Sequence, residues 1–128
     1  MQFQSRQYGR IIVAAPSGRI DHAAAGPFEQ ALTPLLGNAE AAAIVVDFGG
    51  VEYISSVGLR VLMIAAQQVR AHQARLSVAA LQQVVAEIFA ISRFDKILVV
   101  CATLEDALAY SSEAALAAYR DAGGWASA

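Results

Sequence analysis

The chain has 128 residues, a length that fits one domain able to bury a hydrophobic core without disulfides or metals. Hydrophobic residues make up 57% of it and charged residues 16%, a composition that argues against intrinsic disorder. The formal net charge is −2 and the nine Lys and Arg residues are scattered, so the sequence predicts neither nucleic-acid binding nor attraction to acidic lipid.

The cysteine and histidine content excludes further classes of protein. A single cysteine, Cys101, rules out an internal disulfide, and the two distant histidines, His22 and His72, provide no metal-ligand spacing. The first ten residues are polar and lack the apolar core of a signal peptide, and no apolar run approaches the roughly 18 residues that span a bilayer. The sequence therefore predicts a soluble, cytoplasmic protein with no direct membrane insertion, no metal and no cofactor.

The first third of the chain predicts a hairpin followed by a helix. Short strands are expected at residues 3–8 and 10–15, with Gly9 as the turn between them. Asp21 is a preferred N-cap residue, and we expect it to begin a helix over residues 23–36.

The rest of the chain alternates between strand and helix. Residues 43–48 form a continuous apolar run, which is typical of a strand buried on both faces of a parallel sheet. A polar turn with Ser55 and Ser56 follows, and a helix is expected over residues 57–72. The remaining elements are expected at residues 75–80, 82–92, 97–101 and 104–119, with a flexible tail over residues 121–128.

This order of elements predicts an α/β fold. We expect a mixed, mostly parallel β-sheet of about four to five strands packed with about four α-helices, all within one domain over residues 1–120. The helices should lie largely on one face of the sheet or be split unevenly between its two faces.

The turn that carries Ser55 and Ser56 is the strongest candidate for a functional site. Hydroxyl groups at the start of a helix lie beside unpaired backbone N–H groups and the positive end of the helix dipole. Such a hydroxyl can cap the helix, since serine is a preferred N-cap, or it can carry a phosphate. The residues alone leave both interpretations open.

A serine hydrolase is the enzymatic alternative, and the sequence argues against it. The nucleophile elbow of such enzymes requires small residues around the serine, as in Gly-x-Ser-x-Gly. If Ser56 were the nucleophile, Ile54 would stand at the first glycine position. Neither His22 nor His72 lies near the end of the chain, where hydrolases of that fold carry the base. We therefore expect no catalytic residues.

The helix after the serine turn has apolar residues on more than one side. The expected core face consists of Leu59, Leu62, Met63, Ala66 and Val69, which recur at intervals of three and four. The opposite face carries Arg60, Gln67 and Gln68, yet Val57, Val61 and Ile64 also fall on or near this outer side, beside the serines. They predict either a surface that docks a partner or a face that another helix covers, and the sequence does not decide between the two.

A docking surface here would make the serine turn a switch. A phosphate adds about −1.5 to −2 charges at pH 7, and the start of a helix tolerates an anion. The domain should stay folded, while a partner that packs apolar or acidic groups over the turn would lose affinity.

Several segments resemble one known family. Residues 18–21, Gly-Arg-Ile-Asp, are similar to a Gly-x-(Leu/Ile)-Asp turn, and residues 45–54 are similar to a central strand and its exit. Residues 55–59, Ser-Ser-Val-Gly-Leu, resemble an Asp-Ser-Ser/Ala-Gly-Leu phosphorylation loop. With residues 84–96, which include Phe89 and Phe94, these motifs resemble a STAS domain of the anti-sigma factor antagonist family over about residues 3–118.

The resemblance implies a function and its partners. Such a protein, when unphosphorylated, binds an anti-sigma factor that is also a serine kinase, a histidine-kinase-like ATPase, and so frees the sigma factor. The kinase phosphorylates the loop serine with ATP, which disrupts the complex, and a PP2C-type phosphatase reverses the modification. Position by position, the phosphorylated residue would be Ser56, and Asp21 matches the aspartate near the docking surface.

Two departures from the family pattern affect the site. Ser55 stands where the family has an acidic residue, which makes it the alternative phosphoacceptor, and Val57 replaces a second small residue. The same fold also serves regulatory subunits of membrane transporters and larger sensory scaffolds, which is the alternative function. The residues expected to contact a partner are Asp21, Ser55, Ser56, Val57, Gly58, Val61 and Ile64.

Overall fold

A six-stranded mixed β-sheet forms the centre of the structure, a computed structural model that describes residues 1–123. It confirms the predicted α/β fold, with more elements than the sequence predicted. The elements are β1 Gln2–Tyr8, β2 Ile11–Ile20, α1 His22–Leu36, β3 Ala43–Asp47, β4 Gly50–Ile54, α2 Ser56–Ala71, β5 Arg75–Ala79, α3 Gln83–Ile91, a 3₁₀ turn Phe94–Lys96, β6 Val99–Cys101, α4 Leu104–Ser111 and α5 Glu113–Asp121.

The sheet is mostly parallel, as predicted. Strand β1 pairs with β2 as an antiparallel hairpin. Strands β2, β3, β5 and β6 follow in that spatial order, and each pair is parallel. Strand β4 also pairs with β2 in parallel, outside the main order of the sheet.

Strand β2 is five residues longer at its end than residues 10–15 predicted, because it has two parallel partners in succession. Its first part, from Ile11 to Ala14, pairs with β3, and its last part, from Ser17 to Ile20, pairs with β4. Strand β4 was not predicted. The chain passes from β3 to β4 through Gly49 and Gly50. A Cβ on Gly50 would lie 3.0 Å from the Ser17 Cβ, so β4 lies close to β2 at this point.

Asp47 stabilises the turn between β3 and β4. Its Oδ1 accepts a hydrogen bond from the Gly49 N–H at 2.9 Å. Burial raises the pKa of the Asp47 carboxyl, and this hydrogen bond opposes the rise. The side chain therefore holds the turn that redirects the chain toward β4.

Alternating side chains of the strands build one core on each face of the sheet. Ile44 and Val46 belong to the core beneath α1, α2 and α3, whereas Val45 belongs to the core beneath α4 and α5. The helices are thus divided unevenly between the two faces, as the order of elements predicted. The first core is the larger, and α2 with the serine turn lies over it.

The single helix predicted over residues 104–119 is two helices. Ser112 adopts an extended conformation, with φ −170° and ψ 125°, and ends α4. Its Oγ accepts a hydrogen bond from the Ala115 N–H at 3.2 Å and so caps α5. Because α5 contacts β1 while α4 contacts β3 and β5, the break directs the chain across the sheet. The predicted tail begins at Asp121, the last residue of α5, and residues 124–128 lie outside the described part of the chain.

Two serines in this framework should respond to alanine substitution with opposite signs. Ser77 on β5 is 3% exposed, and within residues 1–123 its Oγ has no hydrogen-bond partner. Ser77→Ala should raise the free energy of unfolding by about 1 kcal/mol, because it removes a buried, unsatisfied hydroxyl. Ser112→Ala should lower the free energy of unfolding by about 1 kcal/mol, because it removes a helix cap. Urea unfolding of both variants measures the two changes, and a destabilised Ser77→Ala would contradict the first.

Candidate functional site

Two helices begin side by side at one edge of the sheet. Strands β2 and β4 end at Ile20 and Ile54, which are register partners, and α1 and α2 start directly after them. The Ser55 N–H donates to the Ile20 carbonyl oxygen at 2.8 Å, which joins the two strand ends. The positive ends of two helix dipoles therefore lie at the same place. Asp21 and Ser55, the N-caps of the two helices, occupy adjacent positions there.

Asp21 has a defined structural task at this edge. Its Oδ1 accepts a hydrogen bond from the Ala24 N–H at 3.0 Å, as a helix cap should. The side chain is half-buried and lines a groove of about 530 Å³ together with Arg19 and Glu52. Asp21 therefore fixes the start of α1, and it lies next to the serine turn.

The two serines of the turn have different environments. Ser55 is half-buried, and its Oγ accepts a hydrogen bond from the Gly58 N–H at 3.2 Å. The Ser55 carbonyl oxygen accepts the first intrahelical bond of α2, from the Leu59 N–H at 2.9 Å. Ser56 is the first residue of α2 and is exposed. The structure thus assigns capping to Ser55, and Ser56 presents its hydroxyl to solvent.

Unpaired backbone donors surround the Ser56 hydroxyl. Because α2 begins at Ser56, the N–H groups of Ser56 and Val57 have no acceptor within the helix. The next N–H, that of Gly58, is already bonded to the Ser55 Oγ. A negative group on the Ser56 hydroxyl would lie near two free donors and the positive end of the helix dipole.

Gly58 supports the site from below. It is buried, and a Cβ at this position would lie 2.8 Å from the Ile54 Cγ1 and 2.9 Å from the Ile20 Cγ2. Contacts below 3.0 Å require some atom to move, so only glycine lets the first turn of α2 approach the ends of both strands. Gly58 is buried and has no side chain, so the structure gives it a packing role, and its contact with a partner stays a prediction.

Val61 also differs from its prediction. It is 7% exposed and belongs to the core, because α1 packs along α2 and covers it. The covered-face interpretation therefore holds for the Val61 side chain, and its contact with a partner stays a prediction. Ile64 is partly buried and lines a groove of about 230 Å³ between α1 and α2. Val57 is 37% exposed and lies beside Ser56.

The exposed face of α2 continues beyond the serine turn. Ser56, Arg60 and Ile64 recur at intervals of four and lie on one side of the helix, with Gln67 extending the same side. Arg60 and Gln67 are exposed. Arg60 was absent from the predicted site residues, although its four-residue spacing from Ser56 marks it as a neighbour.

A second cation near the turn is held by an aromatic ring. The Arg19 guanidinium lies 4.5 Å from the centroid of the Tyr53 ring, a cation–π contact between register partners on β2 and β4. Because side chains alternate along a strand, Arg19 and Tyr53 extend to the face opposite Ile20 and Ile54. The first turn of α2 packs on Ile20 and Ile54, so Arg19 lies on the other side of the sheet.

Within residues 1–123, the structure does not assemble the groups of a metalloenzyme or hydrolase. No group of three or more His, Cys, Asp or Glu side chains in this part of the chain could hold a metal ion. Neither His22 nor His72 is hydrogen-bonded to a serine of the turn in the same residues, and both are exposed. None of the helices described is both long and apolar enough to cross a membrane.

Comparison with known proteins points to one family. A family model described as the STAS domain matches residues 2–107. A Bordetella bronchiseptica protein, provisionally named anti-sigma factor antagonist BtrV, is 36% identical over 112 residues, which cover 88% of this chain and 89% of that protein. The crystal structure of an anti-sigma factor antagonist from Mycobacterium paratuberculosis is similar with a TM-score of 0.79 and 25% identity, over 86% of this chain and 92% of that one.

More distant structures share the fold alone. The phosphorylated form of the Bacillus cell fate determinant SpoIIAA is similar with a TM-score of 0.66 and 17% identity, over 87% of this chain and all of that one. A murine anion transporter of the Solute Carrier 26 family has a TM-score of 0.72 and 12% identity, over 83% of this chain and 18% of the transporter.

Two glycines in helices should respond oppositely to alanine. Gly58→Ala should lower the free energy of unfolding by about 1–3 kcal/mol, because its Cβ overlaps Ile54 and Ile20. Gly26 in α1 is the matched control, since nothing lies within 4 Å of a Cβ there. Gly26→Ala should raise the free energy of unfolding by about 0.5–1 kcal/mol through helix propensity. Thermal or urea unfolding measures both, and a stabilised Gly58→Ala would contradict the close approach of α2 to the strands.

Lysine substitutions separate the buried valine of α2 from the exposed one. Val61→Lys should destabilise the domain by about 2–4 kcal/mol, because an ammonium group would enter the contact between α1 and α2. Val57→Lys should change stability by no more than about 0.5 kcal/mol, as exposed positions usually do. Equal unfolding midpoints for the two variants would show that Val61 is not part of the core.

Proposed function

Because the chain belongs to the STAS domain family, we propose that it acts as an anti-sigma factor antagonist whose binding is controlled by phosphorylation of Ser56. In the unphosphorylated state it binds an anti-sigma factor and thereby frees a sigma factor. The partner is a histidine-kinase-like ATPase that phosphorylates Ser56 with ATP, and a PP2C-type phosphatase removes the phosphate. The protein acts in the cytoplasm and by binding, with no catalytic residue of its own.

The observation that carries this proposal is the division of the serine turn into a capping hydroxyl and a free one. Ser55 Oγ is bonded to the Gly58 N–H and is half-buried, whereas Ser56 is exposed at the first position of α2. A kinase needs an accessible hydroxyl, and phosphorylation of Ser55 would break the cap of α2. Ser56 is therefore the better phosphoacceptor, and Ser55 remains the alternative.

The relatives support the wider role. The Bordetella bronchiseptica protein and the Mycobacterium paratuberculosis structure are both named as anti-sigma factor antagonists, and each matches most of this chain. The structure of phosphorylated SpoIIAA is one example of a protein of this fold that carries a phosphate. These similarities support the same class of partner for the exposed face of α2.

Physical chemistry explains how one phosphate could control binding without unfolding the domain. The phosphate would add about −1.5 to −2 charges at a position where backbone donors and the helix dipole favour an anion. Its immediate neighbour on the surface is Val57, which is 37% exposed and would pack against a bound partner. A partner that covers Val57 would have to dehydrate the phosphate, and this cost lowers its affinity.

A regulatory subunit of a membrane transporter is the alternative function. The domain of the murine anion transporter shows that this fold also occurs in transporters, but similarity at 12% identity concerns the fold alone. The two functions predict different partners. Purification from the native cell with an anti-sigma factor kinase would support the first, and purification with a membrane transporter would support the second.

Phosphorylation at Ser56 is tested by incubating the purified protein with its anti-sigma factor kinase and ATP. Intact-protein mass spectrometry should show one added phosphate on the wild type and none on Ser56→Ala. Ser55→Ala is the matched control. It should still accept the phosphate, although it loses about 1 kcal/mol of stability with the cap. A phosphate that persists on Ser56→Ala and disappears from Ser55→Ala would move the site to Ser55.

The effect on binding is tested with Ser56→Glu. This variant should bind the kinase at least tenfold more weakly, which corresponds to about 1.4 kcal/mol, while its unfolding midpoint stays near that of the wild type. Isothermal titration calorimetry measures the affinity, and Gln67→Glu on the same face of α2 is a control for added negative charge away from the turn. An unchanged affinity of a folded Ser56→Glu protein would contradict the switch.

A further inference from the structure

Arg60 lies on the same face of α2 as Ser56, four residues further along the helix. Residues at this spacing are neighbours on the helix surface, with Cβ atoms about 5–6 Å apart. Both residues are exposed. This places a permanent positive charge one helical turn from the proposed phosphoacceptor.

The direction of helical side chains brings the two groups closer. The Cα–Cβ bonds of an α-helix tilt toward its N-terminus, so a long side chain covers the turn that precedes its own Cα. For Arg60 that turn contains Ser56 and Val57. The guanidinium is planar and carries five N–H donors, which match the oxygens of a phosphate in a bidentate arrangement.

No competing group holds the Arg60 side chain. Within residues 1–123 it forms no ion pair and no hydrogen bond through its side chain. Helix α2 contains no Asp or Glu, so no carboxylate on the same helix attracts it. The Asp21 carboxylate at the neighbouring helix start accepts from the Ala24 N–H. Within the same residues, Glu29 of α1, which lines the groove between α1 and α2 with Val61 and Ile64, forms no ion pair with Arg60.

Two other cations of this region have different positions. Arg19 lies against the Tyr53 ring and lines the groove beside Asp21 at the start of α1. Arg70 is in the last turn of α2, 14 residues after Ser56, which is roughly 21 Å along the helix axis. Arg60 is therefore the cation that the helix geometry directs to Ser56.

We propose that Arg60 is an intramolecular clamp for a phosphate on Ser56. The inference rests on the proposed function, because it requires Ser56 to be phosphorylated. In the unphosphorylated protein the Arg60 guanidinium is available to an acidic group of the partner. In the phosphorylated protein it pairs with the phosphate, so the docking face gains negative charge and loses its free cation in one step.

The clamp is tested on full-length protein that carries phosphoserine at position 56 by genetic encoding, without any kinase. A nearby cation favours the doubly charged phosphate, so phosphorus NMR titration should give a lower second pKa for phosphoserine in the wild type. We expect the second pKa to be higher by roughly half a unit in Arg60→Gln. Arg70→Gln removes the same charge from the same helix, and it should leave the second pKa unchanged.

Two further measurements separate a clamp from a general charge effect. Arg60→Lys should restore only part of the lowered pKa, since an ammonium group cannot form the bidentate pair. Raising the salt concentration from about 0.01 M to 1 M should shrink the difference between wild type and Arg60→Gln, because the pair is exposed to solvent.

The outcomes distinguish the clamp from the phosphorylation switch. Equal pKa values of phosphoserine in the wild type and in folded Arg60→Gln would overturn the clamp and leave the switch at Ser56 standing. Failure of the kinase to modify Ser56 would overturn the proposed function, whatever the NMR titration shows. Circular dichroism of Arg60→Gln verifies that the exposed substitution has not unfolded α2.

Discussion

The parallel pairing of β2 with β4 is the constraint on which the candidate site depends. It brings Ile20 and Ile54 into register, and the Ser55 N–H bonds across to the Ile20 carbonyl oxygen. Two helices then have to start from adjacent strand ends and run side by side over the same core. The first turn of α2 can approach both strand ends only because Gly58 lacks a Cβ. The exposure of Ser56, the capping by Ser55 and the cover that α1 gives to α2 all follow from this arrangement.

The adjacent serines divide the turn between a structural task and the proposed regulation. The Ser55 Oγ accepts a hydrogen bond from the Gly58 N–H and so caps α2. A modification of Ser56 would therefore not remove the helix cap. The chain passes from exposed Ser56 and Val57 to buried Gly58 and Leu59 within one helical turn. A charge added at Ser56 is therefore separated from the core by only two residues, yet it points to solvent. The domain can change its surface without changing its packing.

Much of the fold could be predicted from sequence, because its strongest elements carry local signals. The apolar run over residues 43–48 indicated the central parallel strand, which is β3, and Asp21 caps α1 as its residue type predicted. Strand β4 was missed although Val51, Tyr53 and Ile54 favour strands, because the segment has only five residues, begins with Gly50 directly after β3 and depends on pairing with β2. The break at Ser112 was missed for a similar reason, since α5 turns to contact β1.

Periodicity identified the core face of α2, but it could not show that α1 lies over Val61. Residue type and spacing could indicate the serine turn, whereas the different tasks of Ser55 and Ser56 depend on which hydroxyl faces the Gly58 N–H.

The charge pattern of α2 suits a switch that works by small energies. The helix carries no acidic residue, and its exposed side at the first turns combines Ser56, Val57 and Arg60. In the proposed switch, such a surface would attract an acidic and apolar partner before modification. A phosphate on Ser56 would oppose both features at once, by adding a strongly hydrated anion beside Val57 and by giving Arg60 a partner within its own chain. Each contribution on an exposed helix is modest, of the order of 0.5–1 kcal/mol, but both act on the same contact. A change of about 1.4 kcal/mol alters an affinity tenfold. Two such contributions would therefore be enough to dissociate a complex that is only moderately tight at cellular concentrations. The close packing beneath Gly58 lies on the other side of the helix start from Ser56, so in the proposed switch this energy would change the affinity for the partner and not the fold.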